Sequence, residues 1–217
     1  MYSYFGKNRI SDVHNSVTFD LKEFSSFQKQ IAIKYEPEED FICKEKGSRD
    51  FIHRFDRYIL HCLEEIVEAR EEIRKSPVSM ETIKELIDIL MYLGTMNSII
   101  KINLDYFQMK TQDIIELDVY RITRTPAQID VELMNISELL VEQRRLFPQR
   151  KWHKPSSEFP ELQLKYVMNE LYRMNVEAMT ITLELLIQAG KHNHTKINDE
   201  LNYKQTYVLG LPIPELK

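Results

Sequence analysis

Apolar residues recur three and four positions apart along most of the chain, a spacing that is typical of amphipathic helices. Between Ile59 and Ile73, for example, the apolar residues share one side of a helix and the charged residues take the other. Capping residues, prolines and polar segments mark where each apolar run ends. The pattern predicts six helices, over residues 21–34, 48–75, 79–101, 126–147, 161–189 and 197–205.

The composition supports a helical fold. The chain has only 5 glycines and 8 prolines in 217 residues, which is typical of long helices rather than of many short strands and turns. Its 43% hydrophobic and 29% charged residues lie close to the average of globular proteins. We therefore predict a single all-α domain, residues 1–217, built as a helical bundle.

Charge, hydropathy and cysteine content exclude several classes of protein. A net charge of -5 and a pI of about 5.8 argue against a protein that coats nucleic acid. Apolar runs such as residues 87–91 are far shorter than the ~20 residues that span a bilayer, and the first residues lack the apolar core of a signal peptide. Cys43 and Cys62 form neither a disulfide framework nor a CxxC metal site. We expect a cytoplasmic protein without a nucleic-acid or membrane partner.

Acidic residues are concentrated on one side of the second and third predicted helices. The segment HCLEEIVEAREEIRK, residues 61–75, contains five glutamates. At about 100° per residue, Glu65 and Glu68 lie together away from the apolar side, and Glu85 and Asp88 do the same on the next helix. Like charges at these spacings cost about 0.2–0.5 kcal/mol per pair. If both helices are stable, another interaction must offset this repulsive free energy.

The connection between these two helices is short, so they are expected to be antiparallel neighbours. If their acidic sides turn the same way, the four carboxylates converge. Two interpretations are open at this point. Water solvates the acidic faces, as it does for most charged helix surfaces, or a divalent cation such as Mg²⁺ balances them, because hard cations prefer carboxylate oxygens.

The written pattern is Glu64-Glu65-x-x-Glu68, sixteen residues, then Glu85-x-x-Asp88. It resembles the EExxE…ExxD signature of the all-α nucleoside triphosphate pyrophosphohydrolases, the superfamily that includes MazG-like enzymes and dimeric dUTPases. The segment ELIDILMYL is similar to the third helix of dimeric dUTPases. The resemblance implies a homodimeric helical bundle that holds Mg²⁺, or Mn²⁺ in its place. It also implies hydrolysis of a nucleoside triphosphate to the monophosphate and pyrophosphate.

Carried over to this chain, the signature assigns the metal ligands residue by residue. Glu65 and Glu68 match the ligands of the first half, and Glu85 and Asp88 match those of the second. Glu64 is then an outer partner of these ligands. In this scheme Glu65 orients or deprotonates the attacking water, and Glu68 is the next candidate for that role.

The resemblance also implies substrate contacts outside the hairpin. The late segment KINDELNYKQTY is similar to the part of dimeric dUTPases that closes over the phosphates, and Gln28 is the candidate for the base. Independently of the resemblance, the basic loop RRLFPQRKWHK, residues 144–154, is another candidate. Its phosphate contacts would come from Arg145, Arg150, Lys151 and Lys154, and Trp152 could stack on a base. The late residues of matching type are Lys196, Asn202, Lys204 and Tyr207.

The substrate and the class of function stay open. The first candidate substrate is dUTP, and the alternative is dCTP or another non-canonical deoxynucleotide. A helical interaction protein whose acidic face binds a basic partner is the non-catalytic alternative. A di-iron protein is disfavoured, because such sites use Glu-x-x-His pairs and the sequence contains none.

Overall fold

The computed structural model describes residues 9–13, 16–35, 49–117, 124–147, 161–191 and 193–210. Six α-helices and three short strands lie within these residues. The predominance of helix confirms the expected class. The helices are α1 (Leu21–Tyr35), α2 (Arg49–Lys75), α3 (Met80–Tyr106), α4 (Pro126–Arg145), α5 (Glu161–Ala189) and α6 (His194–Leu209), and the strands are β1 (Ile10–Val13), β2 (Ser16–Asp20) and β3 (Ile114–Leu117).

Helix bounds follow the capping chemistry of the sequence. Ser79 caps α3, its hydroxyl accepting a hydrogen bond from the backbone N–H of Thr82 at 3.0 Å. α3 continues past its predicted end at residue 101, because the residues that follow carry no helix breaker. It ends at Tyr106. The N–H of the next residue, Phe107, donates a hydrogen bond to the carbonyl of Asn103, and Gln108 adopts a left-handed φ of 56°.

A three-stranded antiparallel sheet, in the order β1-β2-β3, adds to the predicted all-α fold. Val17 and Phe19 pair with Leu117 and Ile115, and all four side chains are buried. The polar residues between them face away, which gives the alternation of a half-buried strand. The sequence prediction missed the sheet because its strands have only four or five residues, too few for a clear periodicity.

α3 is the central helix and packs against α1, α2 and α5. α1 lies close to it at Gly94, where a side-chain carbon added to the glycine would lie 2.3 Å from Cε1 of Phe24. α4 packs on α2 and α5. Arg70 joins α2 to α4 through two hydrogen bonds to Asp130, at 2.7 and 3.0 Å. These contacts fix α2 and α3, the two helices that carry the acidic signature.

α6 is anchored to the first strand by Asn198. Its Oδ1 accepts hydrogen bonds from the backbone N–H groups of Arg9 and Ile10, at 3.0 and 3.1 Å, and its Nδ2 donates to the carbonyl of Ile10 at 3.0 Å. Ile197 and Leu201 of the same helix are fully buried. Within the described residues, no helix combines the length and the apolar character that crossing a bilayer requires.

Candidate metal centre

The candidate site lies on the hairpin of α2 and α3. Hydrogen bonds to the backbone of Ser76 hold the turn between the helices. Its N–H donates to the carbonyl of Glu72 at 2.8 Å, and its own carbonyl accepts from the hydroxyl of Thr82 at 2.8 Å. Because this turn is short and held at both ends, it sets the register in which residues of α2 face residues of α3.

Three of the predicted ligands meet across the hairpin. One carboxylate oxygen from each of Glu65, Glu68 and Glu85 lies within 4.8 Å of the other two. Glu65 and Glu85 are half-buried, and Glu68 is exposed. The two helices therefore turn their acidic sides toward each other, which is the arrangement that the helical spacing and the short turn predict.

Asp88, the fourth predicted ligand, is paired with a lysine. It is not part of the close group of three oxygens found among the described residues. Its Oδ2 accepts a hydrogen bond of 2.6 Å from Nζ of Lys204, which α6 places beside the hairpin. The Asp88 side chain is only 17% exposed. The resemblance implies that Lys204 binds phosphate, and in this structure Lys204 is the counter-ion of Asp88, a predicted metal ligand.

Repulsion within the cluster is visible in the pKa values of its carboxyls. Burial, together with the charges of Asp88, Glu68 and Glu85, raises the pKa of Glu65 from 4.5 to about 7. Burial and then the charges of Asp88 and Glu68 raise the pKa of Glu85. The pKa of Asp88 is raised by burial, against the opposing effect of Lys204. The site therefore carries more negative charge than its own lysine balances.

Mg²⁺ fits this donor set. All four side chains offer carboxylate oxygens, which hard divalent cations prefer. Oxygens on opposite sides of a Mg²⁺ ion lie about 4 Å apart, twice the ~2.0–2.1 Å bond length. The oxygens of Glu65, Glu68 and Glu85, which lie within 4.8 Å of one another, are close to that spacing. Mn²⁺ takes the same kind of oxygen ligand and is the natural substitute.

An aromatic pair flanks the cluster. The rings of His61 on α2 and Tyr92 on α3 stack with centroids 5.6 Å apart and an angle of 21° between their planes. Burial, followed by the charges of Glu65 and Asp88, raises the pKa of Tyr92. The sequence analysis did not assign a role to either ring, although Tyr92 lies one helical turn after Asp88. Glu64, the predicted outer partner, is exposed and pairs with Nδ1 of His61 at 3.0 Å.

The other predicted substrate-binding residues of α6 lie in different surroundings. Lys196 is exposed and lines an open cavity of about 420 Å³ together with Met80 and Tyr203. Tyr207 is also exposed, and its ring stacks on that of Tyr203 with centroids 6.4 Å apart. Asn202 is buried and accepts a hydrogen bond from the Arg9 side chain. Of the four residues predicted on this helix, Lys204 is the one that contacts the carboxylates.

Gln28, the predicted base contact, is fully buried between α1 and α3. Its Oε1 accepts a hydrogen bond from the hydroxyl of Thr95 at 3.0 Å, and its Nε2 lies 2.9 Å from the sulfur of Met91. In this structure Gln28 thus joins two helices. In the basic loop, Arg145 pairs with Glu142, and residues 148–160 lie outside the described part of the chain, as do Cys43 and His192.

Comparisons with known proteins found no family model, no curated protein and no solved structure that matches this chain. The carboxylate cluster and its neighbours are therefore what supports a functional proposal.

Proposed function

We propose that the chain is a Mg²⁺-dependent nucleoside triphosphate pyrophosphohydrolase of the all-α superfamily, and that it acts as a homodimer. The observation that carries the proposal is the convergence of the signature carboxylates from two helices, with oxygens of Glu65, Glu68 and Glu85 within 4.8 Å of one another. Carboxylates this close repel one another, and a bound divalent cation would offset that repulsion. The first candidate substrate is dUTP, and dCTP is the second.

The reaction hydrolyses the bond between the α- and β-phosphates. Water adds its oxygen to phosphorus, the bridging bond breaks, and the products are the nucleoside monophosphate and pyrophosphate. When bound, the metal ion neutralises charge on the phosphate oxygens and makes phosphorus a better electrophile. Glu65, Glu68, Glu85 and Asp88 would supply the negative charge that holds the ion.

Glu65 is suited to take the proton of the attacking water. In the metal-free chain the pKa of Glu65 is raised to about 7 by burial and by the neighbouring carboxylates. A bound metal ion would lower this pKa and keep Glu65 as the carboxylate that can accept a proton. The lysines of α6 supply positive charge to the triphosphate. Lys204 lies beside the cluster, and Lys196 lines the open cavity on the same helix.

A panel of deoxynucleoside triphosphates that includes dUTP and dCTP tests the proposal. Each is incubated with the protein and Mg²⁺, and the monophosphate and pyrophosphate are measured. Turnover is expected to require metal and to fall by at least about 100-fold in Glu68→Gln and Asp88→Asn. Glu71→Gln is the matched control, because this α2 glutamate is exposed and outside the described cluster.

The possible results test the reaction and the preference for a nucleobase separately. No turnover of any nucleotide by folded protein in the presence of metal overturns the enzyme proposal and favours the interaction protein. Turnover of dCTP but not dUTP keeps the chemistry and replaces the first candidate substrate. Activity that is equal in Glu68→Gln and in the wild type removes the cluster from the reaction.

A further inference from the structure

Lys204 brings a positive charge from α6 to the acidic cluster of α2 and α3. Its Nζ lies 2.6 Å from Oδ2 of Asp88, and the two side chains are 31% and 17% exposed. The partners are 116 residues apart in sequence, so this pair exists only in the folded chain. Its charge also acts on Glu65 and Glu85, the two half-buried members of the cluster. The chain therefore provides an internal counter-ion for the site.

Lys204 and a divalent cation are competitors for Asp88. The lysine occupies Oδ2, so a metal ion has to bind Oδ1 of the same carboxylate or take the place of the lysine at Oδ2. In either case a divalent ion on this carboxylate brings two positive charges within a few ångströms of each other, where they repel in a partly buried site. This repulsion favours the departure of Lys204 from Asp88 when a metal ion binds.

The geometry allows the lysine side chain to leave while α6 stays in place. Asn198 ties the helix to β1 by three hydrogen bonds, and Ile197 and Leu201 bury it against the core. Lysine has a flexible four-carbon stem that can redirect its charge without backbone movement. A released Lys204 remains beside the cluster, where a triphosphate would need positive charge.

We propose that Lys204 and the metal ion compete for Asp88. Without metal, the lysine neutralises this carboxylate and holds α6 against the hairpin. Metal binding displaces the ammonium, which then becomes available to the triphosphate, so that the lysine engages substrate only when the metal is in place. This inference rests on the proposed role of the cluster as a metal site.

Binding of Mn²⁺ in the absence of nucleotide, followed by electron paramagnetic resonance, tests the competition directly. Lys204→Met removes the charge and keeps most of the stem, so we expect it to bind Mn²⁺ about tenfold more tightly than the wild type, an effect of about 1.4 kcal/mol. Lys204→Arg keeps the charge and is expected to stay near the wild type. Lys110→Met is the matched control, because it removes an exposed lysine beyond the end of α3 and should leave Mn²⁺ affinity unchanged.

A second measurement uses the unmodified chain and does not depend on the folding of a variant. Acetylation of individual lysines is followed by mass spectrometry with and without Mg²⁺. Metal should increase the labelling of Lys204 several-fold, because its ammonium no longer pairs with Asp88, and should leave Lys196 unchanged.

The possible results distinguish this proposal from the proposed function. If the wild type and Lys204→Met bind Mn²⁺ equally, or if metal does not change the labelling of Lys204, the competition is refuted while the metal site stands. If neither protein binds Mn²⁺, the cluster is not a metal site and both proposals fail together. Tighter binding by Lys204→Met alone, with increased labelling of the wild type, supports the competition.

Discussion

Removal of the charge of Glu65 should stabilise the metal-free protein at neutral and alkaline pH. The pKa of this carboxyl is raised from 4.5 to about 7, first by burial and then by the charges of Asp88, Glu68 and Glu85. At pH values between 4.5 and about 7, Glu65 of the folded protein holds a proton that the unfolded chain has already released. Stability therefore falls as pH rises through this window, and the loss is complete above about pH 7.

The size of the effect follows from the pKa difference. A difference from 4.5 to about 7 corresponds to about 3 kcal/mol between the two protonation states. Glu65 is only half-buried, and solvent screens its interactions, so we expect about 1–2 kcal/mol. Glu65→Gln keeps the shape of the side chain and cannot ionise. At pH 8 the variant should be more stable than the wild type by this amount, and the two should converge near pH 5.

Urea unfolding in the presence of a chelator, at four pH values from 5 to 8, measures this difference. Glu71→Gln is the control, since Glu71 is an exposed glutamate of the same helix and its stability curve should run parallel to that of the wild type. Saturating Mg²⁺ should make the wild type more stable than Glu65→Gln, because the wild type then gains the binding free energy of the ion. Parallel curves for Glu65→Gln and the wild type from pH 5 to 8 would refute the electrostatic reasoning.

Three further substitutions test how the fold positions the site, each by urea unfolding at fixed pH. Gly94→Ala should lower the free energy of unfolding by about 1–3 kcal/mol, because the added carbon would lie 2.3 Å from Phe24. An unchanged urea midpoint would contradict the close approach of α1 to α3. Ser79→Ala should lower the free energy of unfolding by about 1 kcal/mol, because it removes the acceptor for the N–H of Thr82. Unchanged stability would mean that water replaces the cap. Asn198→Ala should lower the free energy of unfolding by about 2–4 kcal/mol, since it leaves backbone groups at the start of β1 buried without partners. A loss below 1 kcal/mol would argue against Asn198 as the anchor of α6.

The helices follow from local rules, and the sheet does not. Helix α5 begins and ends at the predicted residues, Glu161 and Ala189, because a long apolar repeat and the polar or proline-rich segments around it are all local features of the sequence. β2 pairs with β3 across nearly a hundred residues, with Val17 opposite Leu117. Pairing at that separation depends on where the helices bring the chain, so a window of a few residues carries no sign of it.

The carboxylate cluster was predictable for the same reason as the helices. Glu65 and Glu68 share one side of α2 because of their spacing, and the short connection at Ser79 makes α2 and α3 neighbours. These two local facts suffice to bring Glu85 within reach of both. The burial of Gln28 was not predictable in this way, because its contacts with Thr95 and Met91 depend on how α1 crosses α3.

The pairing of Lys204 with Asp88 depends on the part of the fold that the sequence analysis missed. α6 reaches the hairpin because Asn198 binds the backbone at the start of β1, and β1 is held in turn by β2, with Ile10 opposite Phe19. A strand that is too short to be predicted thus decides which lysine meets the acidic cluster. The charge balance of the site is therefore a property of the tertiary structure, whereas its four acids are already visible in the helical spacing of the sequence.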